Sequence, residues 1–418
     1  MQTEPYKADP PKRKRRWFQF SLRTLLIFTI TCAVAAGWLG KKLEQKRKER
    51  DAVEAIIKLG GNVVYDYQAG NANASPPGPA WLRELFGENC FSEVQSVWFL
   101  STAGRALSDA DMQNLKGLTG LQRLDLFGDP GVGDVGVANI KGLTKLQRLV
   151  LMGTAMTDAG LEQLKDLTDL KMLDLSGTKI TDGGLVHLKR MVKLETLSLG
   201  STRVGDAGLK HLKGLTRLQT LNLDGTDVGD AGLAKLEALT ELETLDVGDV
   251  NGKSQITDAG LGHLEKLTKL KKLSVMTGNV TDAGLAHLAK LTQLQQLDLR
   301  LTKVGGAGLK HLKGPTRLYS LLLGINVNDA GLERLKQFPQ LQELMLGGPN
   351  VTDAGLASLK ELPRLQSLHL YGPNITDAGL ANLKGLASLT SLDLLGTKVS
   401  VVGEDALRKA LPNCQISP

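Results

Sequence analysis

The sequence has 418 residues, of which 4% are aromatic and 47 are glycine, a composition that suggests a core of leucine layers interrupted by many turns. Its net charge of +7 is uneven, because residues 1–50 hold 13 Lys or Arg against four acids and the rest of the chain holds 38 against 40. The basic charge therefore belongs to the N-terminal tail, beside an apolar segment, which argues against nucleic-acid binding by the body of the chain.

The N-terminal region predicts a membrane anchor. Residues 1–17 form a basic tail that we expect in the cytoplasm, and the sequence from Thr24 to Gly40 carries no charge. If Arg23 snorkels, residues 18–40 are long enough to cross a hydrocarbon core of about 30 Å as a transmembrane signal anchor. The alternative is a cleaved signal peptide, since Ala33-Val-Ala35 resembles a cleavage site. Basic residues lie on both sides of the segment, so the orientation, predicted as N-terminus inside, stays open.

Residues 41–89 are expected to join the anchor to the rest of the chain as a juxtamembrane helix, a linker and a cap. Lys41 to Leu59 predicts a helix that ends at a Gly-Gly pair, and Val63 to Tyr67 predicts a short strand. Ala69 to Pro79, rich in Gly, Asn and Pro, predicts a loop. Trp81 to Phe86 predicts a helix that covers the first repeat, because a terminal repeat has no neighbour on one side.

Residues 90–418 are built from a repeat. The pattern L-x-x-L-x-L begins at residues 121, 146, 170, 194, 218, 242, 270, 294, 318, 341, 365 and 389, mostly 24 residues apart. A weaker copy begins at Val94, and another sequence of this kind ends the chain at Cys414 to Ile416, so about 14 units are expected. Extra residues around Val250 to Gln255 predict a loop in the Leu242 unit. One unit cannot bury its leucines alone, so the units must stack into a solenoid.

Each part of the shared unit, LxxLxLxGTxVTDAGLxxLKxLT, predicts a local structure. The L-x-L alternation predicts a short strand with both leucines inward, and Gly-Thr ends it. The Thr of V-T-D is expected to cap a short helix, with the Asp in its first turn, where the helix dipole favours an anion. Leucines three residues apart, such as Leu161, Leu164 and Leu167, are expected to face inward from that helix.

These repeats resemble the leucine-rich repeat family, and the 24-residue T-D-A-G-L unit is similar to that of membrane-attached bacterial members, notably those of planctomycete-type bacteria. The segment FQFSLRTLL, residues 18–26, also resembles the anchor of that group. The resemblance implies an α/β solenoid: a right-handed superhelix with a concave parallel β-sheet, convex helices and one N-terminal transmembrane helix. It further implies protein–protein interaction through the concave sheet. F-box-type receptors are a partial match, because their Cys after the strand is Thr here (Thr154, Thr178).

Two motifs suggest chemistry that the repeat register explains otherwise. Gly131, Gly133 and Gly136 satisfy G-x-G-x-x-G, but they occupy the V-T-D-A-G segment of a repeat, so we expect no nucleotide there. Five histidines share one position on the helical side, and we interpret them as structural; they are His187, His211, His263, His287 and His311. The three cysteines, Cys32, Cys90 and Cys414, predict no disulfide framework. No cofactor, metal or catalytic constellation is predicted, so we expect no enzyme.

The concave face is the predicted binding surface, because side chains flanking the inward leucines point out of the sheet there. Its central column, the residues between the two leucines of L-x-L, is rich in Asp, and its flanking column, two residues further on, contains aromatic and Met residues that packing does not require. The predicted contact residues are Asp125, Phe127, Val150, Met152, Asp174, Asn222, Asp224, Asp246, Asp298, Arg300, Met345, His369 and Tyr371.

The sequence thus predicts a membrane-tethered protein-interaction module in the inner membrane, with its repeats on the extracytoplasmic side and a protein partner on the concave face. The alternative is a substrate-recruiting subunit of a degradative, F-box-like complex with a cytoplasmic solenoid. Membrane contact is expected through residues 18–40, and neither nucleic acid nor a small-molecule cofactor is expected.

Overall fold

The computed structural model describes residues 22–71, 73–99, 106–249, 252 and 254–418. The chain divides into two compact units, Met1–Asp51 and Ala52–Pro418. The basic tail at residues 1–17 lies outside the described residues, as do positions 250, 251 and 253 of the insertion expected around residues 250–255.

A single helix, α1, runs from Leu22 to Lys58. By length and composition it can form a membrane span or signal anchor, and none of its apolar stretch is buried. The sequence predicted a second helix starting at Lys41, but the helix continues through that point. The Lys, Gln, Glu and Arg residues that end the apolar stretch are themselves good helix formers, so the change in polarity does not end the helix.

The second unit contains one sheet of 15 strands whose order in space is their order in the chain. The first two strands pair antiparallel, and all later pairs are parallel. From the second strand onward there is one strand for each of the 14 expected repeats. The strands are β1 Gly61–Tyr65, β2 Val94–Phe99, β3 Arg123–Leu126, β4 Arg148–Val150, β5 Met172–Asp174, β6 Thr196–Ser198, β7 Thr220–Asn222, β8 Thr244–Asp246, β9 Lys272–Ser274, β10 Gln296–Leu299, β11 Ser320–Leu323, β12 Glu343–Gly347, β13 Ser367–Tyr371, β14 Ser391–Asp393 and β15 Gln415–Ser417.

Short helices return the chain between the parallel strands. The α-helices after α1 are α2 Ala80–Phe86, α3 Asp134–Val137, α4 Asp158–Gln163, α5 Asp206–Leu209, α6 Asp230–Leu233, α7 Asp258–Gly262, α8 Asp329–Leu332, α9 Asp353–Leu356, α10 Asp377–Leu380 and α11 Val401–Ala410. The 3-10 helices are Asp66–Gln68, Asp111–Leu115, Ala138–Ile140, Gly184–Arg190, Lys210–Leu212, Ala234–Ala238, His263–Lys266, Gly284–Lys290, Ala307–His311, Glu333–Gln337, Ala357–Glu361 and Ala381–Leu383.

The core is a continuous stack of leucines between the sheet and these helices. Leu161, Leu164 and Leu167 are fully buried, which confirms their predicted inward direction. The Gly-Thr turn also forms as predicted: Gly153 takes a φ of +71°, and the buried Thr154 donates its hydroxyl to the Leu151 carbonyl at 2.8 Å. Thr suits this position because its hydroxyl satisfies a strand-end carbonyl inside the core.

The Asp of T-D-A-G has a role that the sequence did not predict, because it binds the next repeat. Asp134 accepts hydrogen bonds from the Thr157 backbone N–H at 2.8 Å and the Thr157 hydroxyl at 2.7 Å. Thr157 also caps α4, as predicted, by accepting from the Ala159 N–H. We call this contact the Asp clamp. Its backbone hydrogen bond recurs from Asp158, Asp182, Asp206, Asp230, Asp258, Asp282, Asp329, Asp353 and Asp377 to the repeat that follows each. At Asp182, Asp206 and Asp282 the donor is a Gly N–H, so the hydroxyl bond is absent there.

The clamp explains the Gly of the same motif. A Cβ atom on Gly160 would lie 2.5 Å from the Oδ1 atom of Asp134, and one on Gly232 would lie 2.5 Å from Oδ1 of Asp206. Side chains do not tolerate such distances, so the Asp of one repeat requires the Gly of the next. T-D-A-G is therefore a motif of contact between repeats as well as a helix start.

One junction lacks the clamp, because Gly306 stands where the other repeats have Asp. Gly306 has a φ of +100°, and a Cβ atom on it would lie 2.5 Å from the Cα atom of Gly331 in the next repeat. Asn328 there uses its side chain within its own helix, by accepting from the Gly331 N–H at 3.0 Å. Close glycine-to-glycine packing thus replaces two charge-assisted hydrogen bonds.

The N-terminal end of the solenoid is covered differently from the prediction. The antiparallel strand β1 covers β2, and Val53 and Ile56 from the end of α1 are buried in the core. The predicted cap helix exists as α2, but it buries no residue, so its capping role was wrong. An edge strand and a packed helix end supply the cover, because they satisfy both the backbone groups and the apolar face of β2.

Candidate protein-binding face

The strand register places the central column in one line across the sheet. Asp174 is paired with Val150 on one side and Ser198 on the other, and the same slot continues to Asp246 and Asp298. It continues through Met345 and His369 to Asp393. The sheet therefore assembles these side chains, separated by some 24 residues in the sequence, into one surface.

Most Asp and Asn residues of the central column have a local structural role. Asp174 accepts a hydrogen bond from the Ser176 N–H at 2.9 Å, and Asn222 accepts one from the Asp224 N–H at 2.7 Å. Asp246 and Asp298 accept in the same way from residues two further on. These are Asx turns that end each strand. Because Asn222 makes the same turn, the contact requires a side-chain oxygen and does not require a charge.

Three carboxylates of the column are already paired with cationic or imidazole groups. Arg148 donates from Nε to both oxygens of Asp125, at 2.9 and 3.2 Å. Arg300 donates to Asp298 from Nη2 at 2.7 Å, and His369 Nδ1 lies 3.5 Å from the Asp393 carboxylate. The predicted contacts at Asp125, Asp298 and Arg300 are thus engaged with residues of this chain.

The acidic character of the face is concentrated at Asp174, Asp224 and Asp246, which have no Lys, Arg or His within 4.0 Å among the described residues. The Oδ1 atom of Asp224 is buried and accepts no hydrogen bond in the described part of the chain. Burial raises the pKa of Asp224, and the neighbouring carboxylates of Asp246 and Asp249 raise it further. A cationic group placed here would offset the repulsion between these carboxylates.

Apolar side chains flank this acidic centre along the solenoid. Met152 is 38% exposed, and Phe127 and Met345 are half-buried. Tyr371 lies across its neighbours, with its hydroxyl donating to the Leu323 carbonyl, two repeats away, at 3.2 Å. Tyr371 fits in this place because Gly347 carries no side chain, and a Cβ atom on Gly347 would collide with Tyr371. Burial raises the pKa of Tyr371.

Val150 does not belong to the accessible surface. It is 1% exposed, so it packs within the face and cannot contact a partner. Its position between Asp125 and Asp174 in the register is as predicted, but its side chain is not accessible there. We therefore remove Val150 from the candidate contacts.

The sequence analysis missed three residues at this surface. Trp98 heads the central column beside Asp125 and is half-buried; the alignment of the weak Val94 copy would have identified it. Leu301 and Ile325 follow β10 and β11 and are 52% and 56% exposed. Leu301 has a φ of +60° and Ser201 one of +55° at the turn position where most other repeats use Gly, so the turn imposes this conformation whatever residue occupies it.

The G-x-G-x-x-G segment and the histidines serve the solenoid. The N–H groups of Gly133 and Gly136 both donate to Asp109, at 2.7 and 2.8 Å, so they are occupied by an Asp clamp. His263 and His287 contact Glu237 and Glu265 of the preceding repeats, at 3.0 and 2.9 Å. Within the described residues, no group of three or more His, Cys, Asp or Glu is arranged to hold a metal ion.

Comparison with known proteins identifies the fold family. A model of the leucine-rich repeat region matches residues 93–348 and 155–415, so the chain belongs to this family. An internalin from Listeria monocytogenes is similar in structure, with a TM-score of 0.59 and 23% identity over 78% of this chain and 85% of that one. A leucine-rich repeat protein from Leptospira interrogans matches at a TM-score of 0.45 and 18% identity, over 75% and 95% of the two chains. No curated protein matches the sequence.

Leucine-rich repeat proteins act as protein-interaction modules. The low identity to the internalin limits that likeness to the fold. The fold is nevertheless the one expected from the repeat: a solenoid with a parallel sheet on one side and short helices on the other.

Proposed function

We propose that this chain is a membrane-tethered module that binds a protein partner on the concave face of its sheet. The observation that carries the proposal is the acidic centre: Asp174, Asp224 and Asp246 lie on one face with no Lys, Arg or His within 4.0 Å among the described residues. Carboxylates held close together repel one another, so a partner that supplies a cation to this face would stabilise them.

The partner that fits this surface presents Lys or Arg to the acidic centre and apolar side chains on either side of it. Phe127 and Met152 lie on the N-terminal side, and Met345 and Tyr371 lie on the C-terminal side. Interfaces favour such aromatic and Met residues at their buried core, while charge complementarity supplies specificity and a fast association rate. Asn222 and His369 complete the contact set in the central column.

Helix α1 is the proposed tether, with the repeats on the extracytoplasmic side of the inner membrane. Its length and apolar composition support a signal anchor, and the basic tail before it favours an N-terminus in the cytoplasm. The 24-residue T-D-A-G-L unit and the FQFSLRTLL segment are our reasons for grouping the chain with membrane-attached proteins of planctomycete-type bacteria.

Neutralising the acidic centre tests the proposal without disturbing the sheet. The triple variant D174N/D224N/D246N keeps side-chain oxygens for the Asx turns, as Asn222 does naturally, and removes three charges. We expect it to lose a partner that co-purifies with the full-length protein from membranes, and the wild-type complex to weaken as salt increases. The matched control D166N/D227N/D405N removes three charges from exposed positions off this face and should retain the partner. Equal retention by both variants would rule out the acidic centre as the binding site.

A further inference from the structure

Four apolar side chains are exposed together at the N-terminal end of the second unit. Trp81 and Leu85, one turn apart on α2, are 65% and 67% exposed. Phe86 and Phe91 are 42% and 48% exposed, and the Phe91 ring lies against Gly78, just before the helix. We call these four residues the apolar rim.

The apolar rim does not arise from packing of α2 against the solenoid. The helix has seven residues and buries none of them. Polar contacts fix it in place: Arg83 donates from Nη1 to the Pro76 carbonyl at 3.2 Å and pairs with Glu88 at 3.4 Å. A helix this short is not stable by itself, and apolar residues on its outer face gain nothing from exposure to water. A clustered exposed apolar patch of this kind marks a contact surface.

We propose that the apolar rim inserts into the interfacial layer of a lipid bilayer; this inference rests on the proposed membrane tether. Trp, Phe and Leu are the side chains that interfacial helices bury at the headgroup boundary. The Arg83–Glu88 pair leaves Glu84 as the remaining charge of α2, so the cost of approaching lipid is small. Acidic lipid headgroups would repel Glu84 and Glu88, so insertion would be driven by the apolar side chains.

The size of the apolar rim favours lipid over a protein partner. Four large side chains of about 150–250 Å² each, roughly half exposed, offer on the order of 400 Å². A stable protein interface buries about 800 Å² on each partner. A bilayer has no such threshold here, because the chain already carries a candidate membrane helix, whose uncharged stretch ends at Gly40, 40 residues before α2 begins at Ala80. Attachment to the same membrane converts a weak contact into an intramolecular one.

Tryptophan fluorescence of the full-length protein in vesicles tests the inference. The chain has four tryptophans, so the variant W17F/W38F/W98F reports on Trp81 alone, and W17F/W81F/W98F reports on Trp38 in α1. In phosphatidylcholine vesicles containing lipids brominated near the headgroup, we expect loss of Trp81 emission and protection from aqueous iodide. L85Q in the Trp81 background should reduce the quenching by lipid, whereas L395Q, at an exposed apolar site near the other end of the solenoid, should not.

The two reporters separate this inference from the tether. If brominated lipid quenches Trp38 but iodide alone quenches Trp81, the tether stands and the inference is overturned. If Trp81 is protected from both quenchers, a protein surface or a second copy covers the apolar rim, which also overturns it. If lipid does not quench Trp38, the tether itself fails and the inference fails with it.

Discussion

Removing one Asp clamp should weaken the solenoid at a defined junction. Asp134 accepts two hydrogen bonds from Thr157, at 2.8 and 2.7 Å, and both are lost in D134A. Hydrogen bonds to a charged group contribute about 1.5–3 kcal/mol each, and the lower end applies at a half-buried site, so the expected loss is about 3 kcal/mol. Urea unfolding measures the loss in the free energy of global unfolding. Hydrogen exchange of the Thr157 amide measures the loss at this junction.

The Gly of the motif makes the test specific. G184A places a Cβ atom against the Asp158 carboxylate of the preceding repeat, so it should destabilise the wild type. In the D158A background that clash is absent, and G184A should cost much less. D227A, which removes an exposed Asp, serves as the control and should change stability by less than about 0.5 kcal/mol. If D134A behaves like D227A, or if G184A costs the same in the wild type and in D158A, the clamp does not hold the repeats together.

Three further predictions concern other parts of the chain. The junction at Gly306 lacks a clamp, so amides of α8 should exchange faster than those of α9; equal protection would contradict this. The raised pKa of Asp224 means that its ionised form disfavours folding, so the contribution of Asp224 to stability falls as pH rises through the carboxyl range. D224N should therefore be more stable than wild type at pH 7 in thermal unfolding, and this difference in stability should disappear near about pH 3. A difference in stability that stays the same across this pH range would contradict the prediction. If the repeats are extracytoplasmic, protease added to intact spheroplasts should digest them, whereas digestion only after lysis would place them in the cytoplasm.

The sequence predicted the repeat fold in detail because the fold is set by a pattern that recurs every 24 residues. Leu161 or Leu164 could be placed inward from spacing alone, and Gly153 and Thr154 from their turn chemistry. The Asp clamp was missed because it joins residues such as Asp134 and Thr157 that only the stacking of repeats brings together. Helix-capping rules assign both residues to local roles, and the local role of Thr157 was indeed correct.

The sequence predicted where the central column lies in the sheet, but not which of its carboxylates are paired with other side chains. Strand alternation placed the central column correctly, as the pairing of Asp174 with Val150 and Ser198 confirms. Which Asp residues remain unpaired depends on side-chain partners in three dimensions, such as Arg148 beside Asp125. The exposure of α2 was unpredictable for a similar reason, since β1 and Ile56 already cover the end of the solenoid.

Site-specific photo-cross-linking in native membranes tests the proposed function most directly. A benzophenone side chain at Met152, which is exposed on the concave face, is compared with one at Val192, which is 51% exposed but off this face. We predict a discrete protein adduct from position 152, none from position 192, and loss of the adduct in the D174N/D224N/D246N background. Adducts of equal yield from both positions, or an adduct at 152 that survives the triple substitution, would contradict binding at the acidic centre of the concave face.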